Sequence, residues 1–253
     1  MDDQKAIELY TRFREARCSL GHKYQIAAYH RFLDRGTYPV IAMPFIEIAK
    51  EQTREIANAV NEFGHYLHEL TAWDSILRLL TEDEKFEVVF EFLLPTSVYC
   101  LGAPYAIKGR LHTSIAEVSH QANRFRLSTW KDDANLAKPN FKTAERHAQH
   151  WNSWPALAAA LSQLSDDSFN SASDDFRNRF NHGYPRGVEF GLTGLVRRNV
   201  GSDGLVSYGL GSSPPLRIAD LIPLLAQQHA AALDCYDTYI NLVREQHAQL
   251  PAN

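Results

Sequence analysis

Between residues 44 and 80 the apolar side chains recur at helical spacing for about ten turns. Ile46, Ala49, Ile56, Val60, Phe63, Leu67 and Leu70 fall on one stripe, and Pro44 suits the first turn of such a helix. A stripe this long must be covered, and the cover it calls for is other helices. Most of the remaining chain supplies them. Residues 4–17 read as a short amphipathic helix through Ile7, Leu9, Tyr10, Phe13 and Ala16. Thr81-Glu82-Asp83-Glu84 has the form of a capping box and predicts a helix from there to Leu94, where Pro95 disfavours continuation. Gly102 and Pro104 punctuate again. A further helical pattern follows through Ile107, Leu111, Ile115, Val118 and Phe125.

Residues 128–142 read as a polar loop, and 143–164 as helix interrupted near Trp154-Pro155. Ser165–Ser173 is polar. A short helix is predicted over Asp174–His182, with Gly183 as its left-handed stop and Pro185 against resumption. Val188, Phe190 and Leu192 then alternate, and Gly201-Ser202-Asp203-Gly204 is a turn signal, so 188–210 reads as a β-hairpin. Residues 219–248 form a closing helix, with Pro223 placed in its first turn. The reading is a mostly α bundle in one domain, 1–253: an extension over 1–40, main helices over 44–183, a small hairpin inserted before the last helix, and that helix over 219–248.

Composition narrows the function classes. The 253 residues carry a net charge of −4, which gives no global attraction to nucleic acid but leaves room for a local basic site. Three scattered cysteines, Cys18, Cys100 and Cys235, suggest neither a disulfide framework nor a thiolate zinc site. Met1-Asp2-Asp3-Gln4 does not open a signal peptide, and no unbroken apolar run reaches about 18 residues. The expectation is a cytoplasmic protein with no membrane span.

The chemistry concentrates in Ser173–Arg186, S-D-D-F-R-N-R-F-N-H-G-Y-P-R. Asn178 and His182 are four apart and share a helix face, as do Arg177 and Asn181. Arg177 and His182 are five apart, roughly 140° around the axis and about 7.5 Å along it, and a long guanidinium and an imidazole at a helix end can still converge on one anion. That set suits cleavage of an RNA phosphodiester. An imidazole moves protons near neutral pH, an arginine fork neutralises the non-bridging oxygens, and an amide orients the ring or binds a sugar hydroxyl. With the 2′-hydroxyl as nucleophile, no cofactor is required. Arg186, and Arg197-Arg198 on the predicted hairpin, are further candidates to meet an RNA backbone. Spacing alone does not single out this stretch: Arg17 and His22 repeat it, without an Asn after the Arg and with Gly21 between.

Arg177-Asn178-x3-His182 resembles the R-N-x3-H form of the R-x4-6-H signature of the HEPN superfamily, with Phe176 before it and Gly183 after it in keeping. The long helices ahead of it and the closing helix are similar to that family's bundle, over roughly residues 44–250. The resemblance implies a metal-independent endoribonuclease, often a homodimer, often a toxin or a component of phage defence, with an antitoxin or nucleotidyltransferase partner in some cases. It implies Arg177 and His182 as the catalytic pair and Asn178 as the polar residue beside Arg177. Some members are non-catalytic modules that bind a protein or nucleotide, and that alternative stays open.

The other histidines offer a third reading, a metal-binding helical bundle. Glu62/His65 and Glu117/His120 are Glu-x-x-His pairs, with Glu15 or Glu47 and Glu87 or Glu91 as further ligands. His65/His68 and His147/His150, with Glu69 or Glu145, are His-x-x-His alternatives. The plainer reading of these pairs is polar helix faces. Trp130, Trp151 and Trp154 read as core or interface anchors.

Overall fold

Helix α1 (Asp3–Ser19) starts where Asp2 accepts a hydrogen bond from the Lys5 N–H at 2.8 Å. The structure, a computed structural model, describes residues 2–21, 24–34, 36–132 and 139–251, the side chain of Arg197 excepted. His22 of the second Arg-x4-His spacing, and 133–138 of the expected loop, lie outside the described residues. The chain is mostly helical with one small antiparallel hairpin, as the periodicity predicts.

The long stripe forms one unbroken helix, α2 (Met43–Leu77), with Ile46, Ala49, Ile56, Val60, Phe63, Leu67 and Leu70 all buried. Helix α3 (Glu82–Val88) opens on a full capping box: Thr81 Oγ1 accepts from the Glu84 N–H, and the Glu84 carboxylate accepts from the Thr81 N–H. The expected stop at Pro95 does not occur. A π-helical segment, Val89–Leu93, follows α3 and runs directly into α4 (Leu94–Asn123). The wider turn absorbs the missing N–H of Pro95 at the start of α4, and Pro104 is carried inside it. The run 82–123 is thereby long and apolar enough to cross a membrane by length and composition, a property that a search for unbroken apolar stretches misses.

Helices α5 (Phe141–Ala148) and α6 (Trp154–Gln163) flank the expected break, with Pro155 in the first turn of α6. The polar stretch 165–173 holds a short helix, α7 (Asp167–Ala172), which polarity alone had hidden. Helix α8 (Phe176–His182) carries the motif. The hairpin is shorter than expected: β1 (Val196–Val200) pairs with β2 (Val206–Leu210). Residues 188–195 contribute only isolated bridges, Val188 to Leu216 and Thr193 to Ser213. Left-handed Gly204, φ 78°, closes the turn. Helix α9 (Ile218–His247) closes the chain, and Pro223 lies one turn further in than expected.

By internal contact the chain divides into two compact units. The first comprises residues 1–23, 65–102 and 167–226. Its core stacks Phe13 on Trp73 at 4.5 Å and Trp73 on Phe92 at 5.2 Å. Ion pairs Lys5–Glu84 at 2.7 Å and Arg17–Glu69 at 2.9 Å tie α1 to α3 and α2. The second comprises 24–64, 103–166 and 227–253. There Ile107, Leu111, Ile115 and Val118 of α4 are buried with Trp151, Leu157, Leu161, Tyr239 and Val243. Asn61 holds the entering segment by exchanging two hydrogen bonds with the backbone of Ala27, at 2.8 and 3.1 Å.

Candidate functional site

The motif helix begins on a strained corner. Asp174 and Asp175 both sit in the left-handed region, φ 57° and 50°. Aspartate tolerates that conformation better than most residues, but two in succession persist only where neighbours enforce them. Here the Asp175 N–H donates to Asn170 O at 2.7 Å, and Ser173 Oγ donates to Phe169 O at 2.8 Å. Phe176, buried, then anchors α8, and Phe180 stacks on it at 5.8 Å. The corner starts α8 at Phe176, two residues later than expected. The helix ends where the Gly183 N–H donates to Arg179 O at 2.8 Å. Gly183 itself is not left-handed, φ −160°, so the helix ends without the left-handed stop expected there.

Within this frame the polar groups separate into two sets. Asn178 donates to Asp175 Oδ2 at 2.9 Å, and Arg179 pairs with Asp174 Oδ1 at 3.3 Å, so the corner carboxylates hold the outer side of α8. Arg177 is half-buried, while Asn181 and His182 are exposed. His182 has no hydrogen-bond or ion-pair partner among the described residues. The other buried Asp174 oxygen, Oδ2, lacks a hydrogen-bond partner among them.

The remaining expected contacts divide. Arg186 is committed to the backbone: its Nε donates to Pro214 O at 2.7 Å and its Nη2 to Pro215 O at 3.4 Å. Arg198 is exposed on β1, opposite Tyr208, and the backbone of Arg197 lies opposite Gly209.

Sequence reasoning passed over Glu189, φ 61°, which organises this region. Its Oε1 accepts from the Ile218 N–H at the start of α9, and its Oε2 pairs with Arg217 at 3.0 Å. Gly187 is required beside it, because a Cβ there would lie 2.0 Å from Phe190 O. A left-handed Glu two residues after a Gly carries no sequence signal of its own.

Three of the other candidate histidines are held by contacts. His65 pairs with Glu69 at 3.2 Å, His68 meets Arg17 O at 3.3 Å, and buried His120 meets Asp132 at 3.0 Å. Among the described residues no three His, Cys, Asp or Glu side chains converge on a metal-sized site. His112 is pushed down to about 4 by burial, then by the charge of Lys108. Trp151 and Trp154 are buried, with Trp151 Nε1 donating to Asn123 Oδ1 at 2.9 Å. Cys100 and Cys235 are buried, and burial raises both thiols, Cys235 to about 12, whereas Cys18 is exposed. The second unit also holds a polar cavity of about 500 Å³, lined in part by Tyr29, His30, Arg31, Lys50, Glu51 and Arg54. Its walls come from separate segments, which explains why the sequence does not announce it.

No family model, curated protein or solved structure matches the chain.

Proposed function

We propose that the protein is a HEPN-type endoribonuclease acting at α8, with a toxin-like or phage-defence role. The observation that carries the reading is the exposed, unengaged imidazole of His182, five residues beyond Arg177 on a helix where Asp175 holds Asn178 and Asp174 holds Arg179. His182 takes the proton from the 2′-hydroxyl, the 2′-oxygen attacks phosphorus, and the bond to the 5′-oxygen breaks. The leaving oxygen collects a proton from an imidazolium or from water, leaving a 2′,3′-cyclic phosphate. Arg177 stabilises the charge that builds on the non-bridging oxygens. Asn178, next to Arg177 in the chain, is fixed by Asp175, and Asn181 is the exposed polar contact for the rest of the strand.

One observation favours the non-catalytic alternative, in which α8 binds a protein or nucleotide: the ion pair Arg179–Asp174 and the bond Asn178–Asp175 make Asn178 and its neighbour part of a structural clasp. Incubating the purified protein with RNA in EDTA separates the two. The ribonuclease reading expects fragments with cyclic phosphate ends. Intact RNA at high protein concentration would leave the binding reading.

A further inference from the structure

The hairpin alternates strictly between two kinds of face. One face carries the cross-strand pairs Val196–Leu210, Arg198–Tyr208 and Val200–Val206. The other carries Asn199, Ser207 and Gly209. The first face is uncovered: Val196 is 60% exposed, Val200 58%, Val206 45%, Tyr208 70% and Leu210 93%. A lone two-stranded ribbon is marginal in water, and an apolar face of this kind marks a contact. A fully buried Val or Leu removes roughly 60–120 Å² from water, and Tyr more. Together these side chains offer several hundred Å², approaching the roughly 800 Å² per partner of a standard interface.

We propose that this face is an isologous interface with a second copy of the chain, two ribbons packed face to face about a two-fold axis parallel to the strands. The face is complementary to itself in that arrangement. β1 of one copy lies on β2 of the other, so Val196 meets the partner's Leu210 and Val200 meets the partner's Val206. The one charge, Arg198, lies over the partner's Tyr208, a cation–π pair within the roughly 10 Å spacing of packed sheets. A two-fold axis across the strands would instead set Arg198 on the partner's Arg198, and like charges exclude it. No carboxylate stands among the six paired residues, so the face supplies its own cation acceptor only through Tyr208.

This inference does not depend on the ribonuclease reading, since mass and cross-linking report no cleavage. Light scattering on the full chain should give twice 28.7 kDa at micromolar concentration. Val206→Glu and Leu210→Glu should each give monomers with an unchanged far-ultraviolet spectrum and a Tm that no longer rises with protein concentration as the wild type's does. In a Cys18→Ser background, mixing Val200→Cys chains with Val206→Cys chains under mild oxidation should yield mainly the mixed disulfide. A monomeric wild type, as expected if another protein covers the ribbon, would overturn the proposal. So would a dimer that persists in Val206→Glu, or predominant linkage of position 200 to itself.

Discussion

The polar groups along the second half of α9 and those along 173–186 are handled in opposite ways. On α9, Gln246 donates to Ser119 Oγ at 2.8 Å, Tyr236 to Ala28 O at 2.7 Å, and Glu245 accepts from the N–H groups of Asn152 and Ser153 at 2.9 and 2.8 Å. Tyr239, fully buried against Ser114, is pushed far above the usual phenol range, chiefly by desolvation. Each of these groups fixes packing. Along 173–186 the apolar residues do the fixing, through Phe176, and the polar residues divide between a clasp and an open imidazole. Polarity spent on packing marks structure, and polarity left over on a rigid, locally strained frame marks a site.

The largest difference between the regions should appear on substitution of His182. His182→Ala is expected to lower RNA cleavage by about 10²–10⁴-fold, the range for loss of a general acid–base, with no change in the urea midpoint. Trp151→Ala should do the reverse: about 3–5 kcal/mol of stability lost in urea titration, because a buried ring and its bond to Asn123 both go. Comparable effects of the two changes on stability would erase the contrast.

Smaller effects sharpen it. Gly64→Ala should cost about 1–3 kcal/mol by thermal unfolding, since a Cβ there would lie 2.6 Å from the His229 ring, itself held on Val60 O. Thr81→Ala, which removes only the cap of α3, should cost about 0.5–2 kcal/mol.

Acidity gives the last contrast. His112 titrates near 4 in the folded chain and near 6.5 when unfolded, so between those values the unfolded state binds more protons. Its contribution to stability is complete above about pH 6.5 and is lost as pH falls toward 4. The urea midpoint should decline through that window, and less so in His112→Leu. An identical decline in both proteins would remove His112 as the cause.

These differences also explain which parts were legible. The stripe of α2 and the capping box at Thr81 are local patterns, and both appear as read. Pro95 misled, because its effect depends on whether the preceding turn widens, and the π segment 89–93 does so. The turn at Gly201–Gly204 was legible, but the continuous ladder reaches back only to Val196; before it Thr193 pairs with Ser213 as an isolated bridge, and Glu189 bonds the start of α9 instead. At the site, the residue types were readable and their allegiance was not. Residue type does not distinguish Asn178, bound to Asp175, from Asn181, exposed one turn later, because the distinction rests on the left-handed corner at 174–175. Arg186 read as a phosphate ligand for the same reason, its carbonyl partners lying 28 and 29 residues away.

The claim that 173–186 is a site and not a second packing element rests on His182. The direct measurement is RNA cleavage in EDTA by wild type and His182→Ala, with product ends analysed and unfolding midpoints recorded on the same preparations. Cyclic phosphate ends from wild type alone, at equal stability, are the predicted result. Equal cleavage by both proteins, or no cleavage by either, would contradict it.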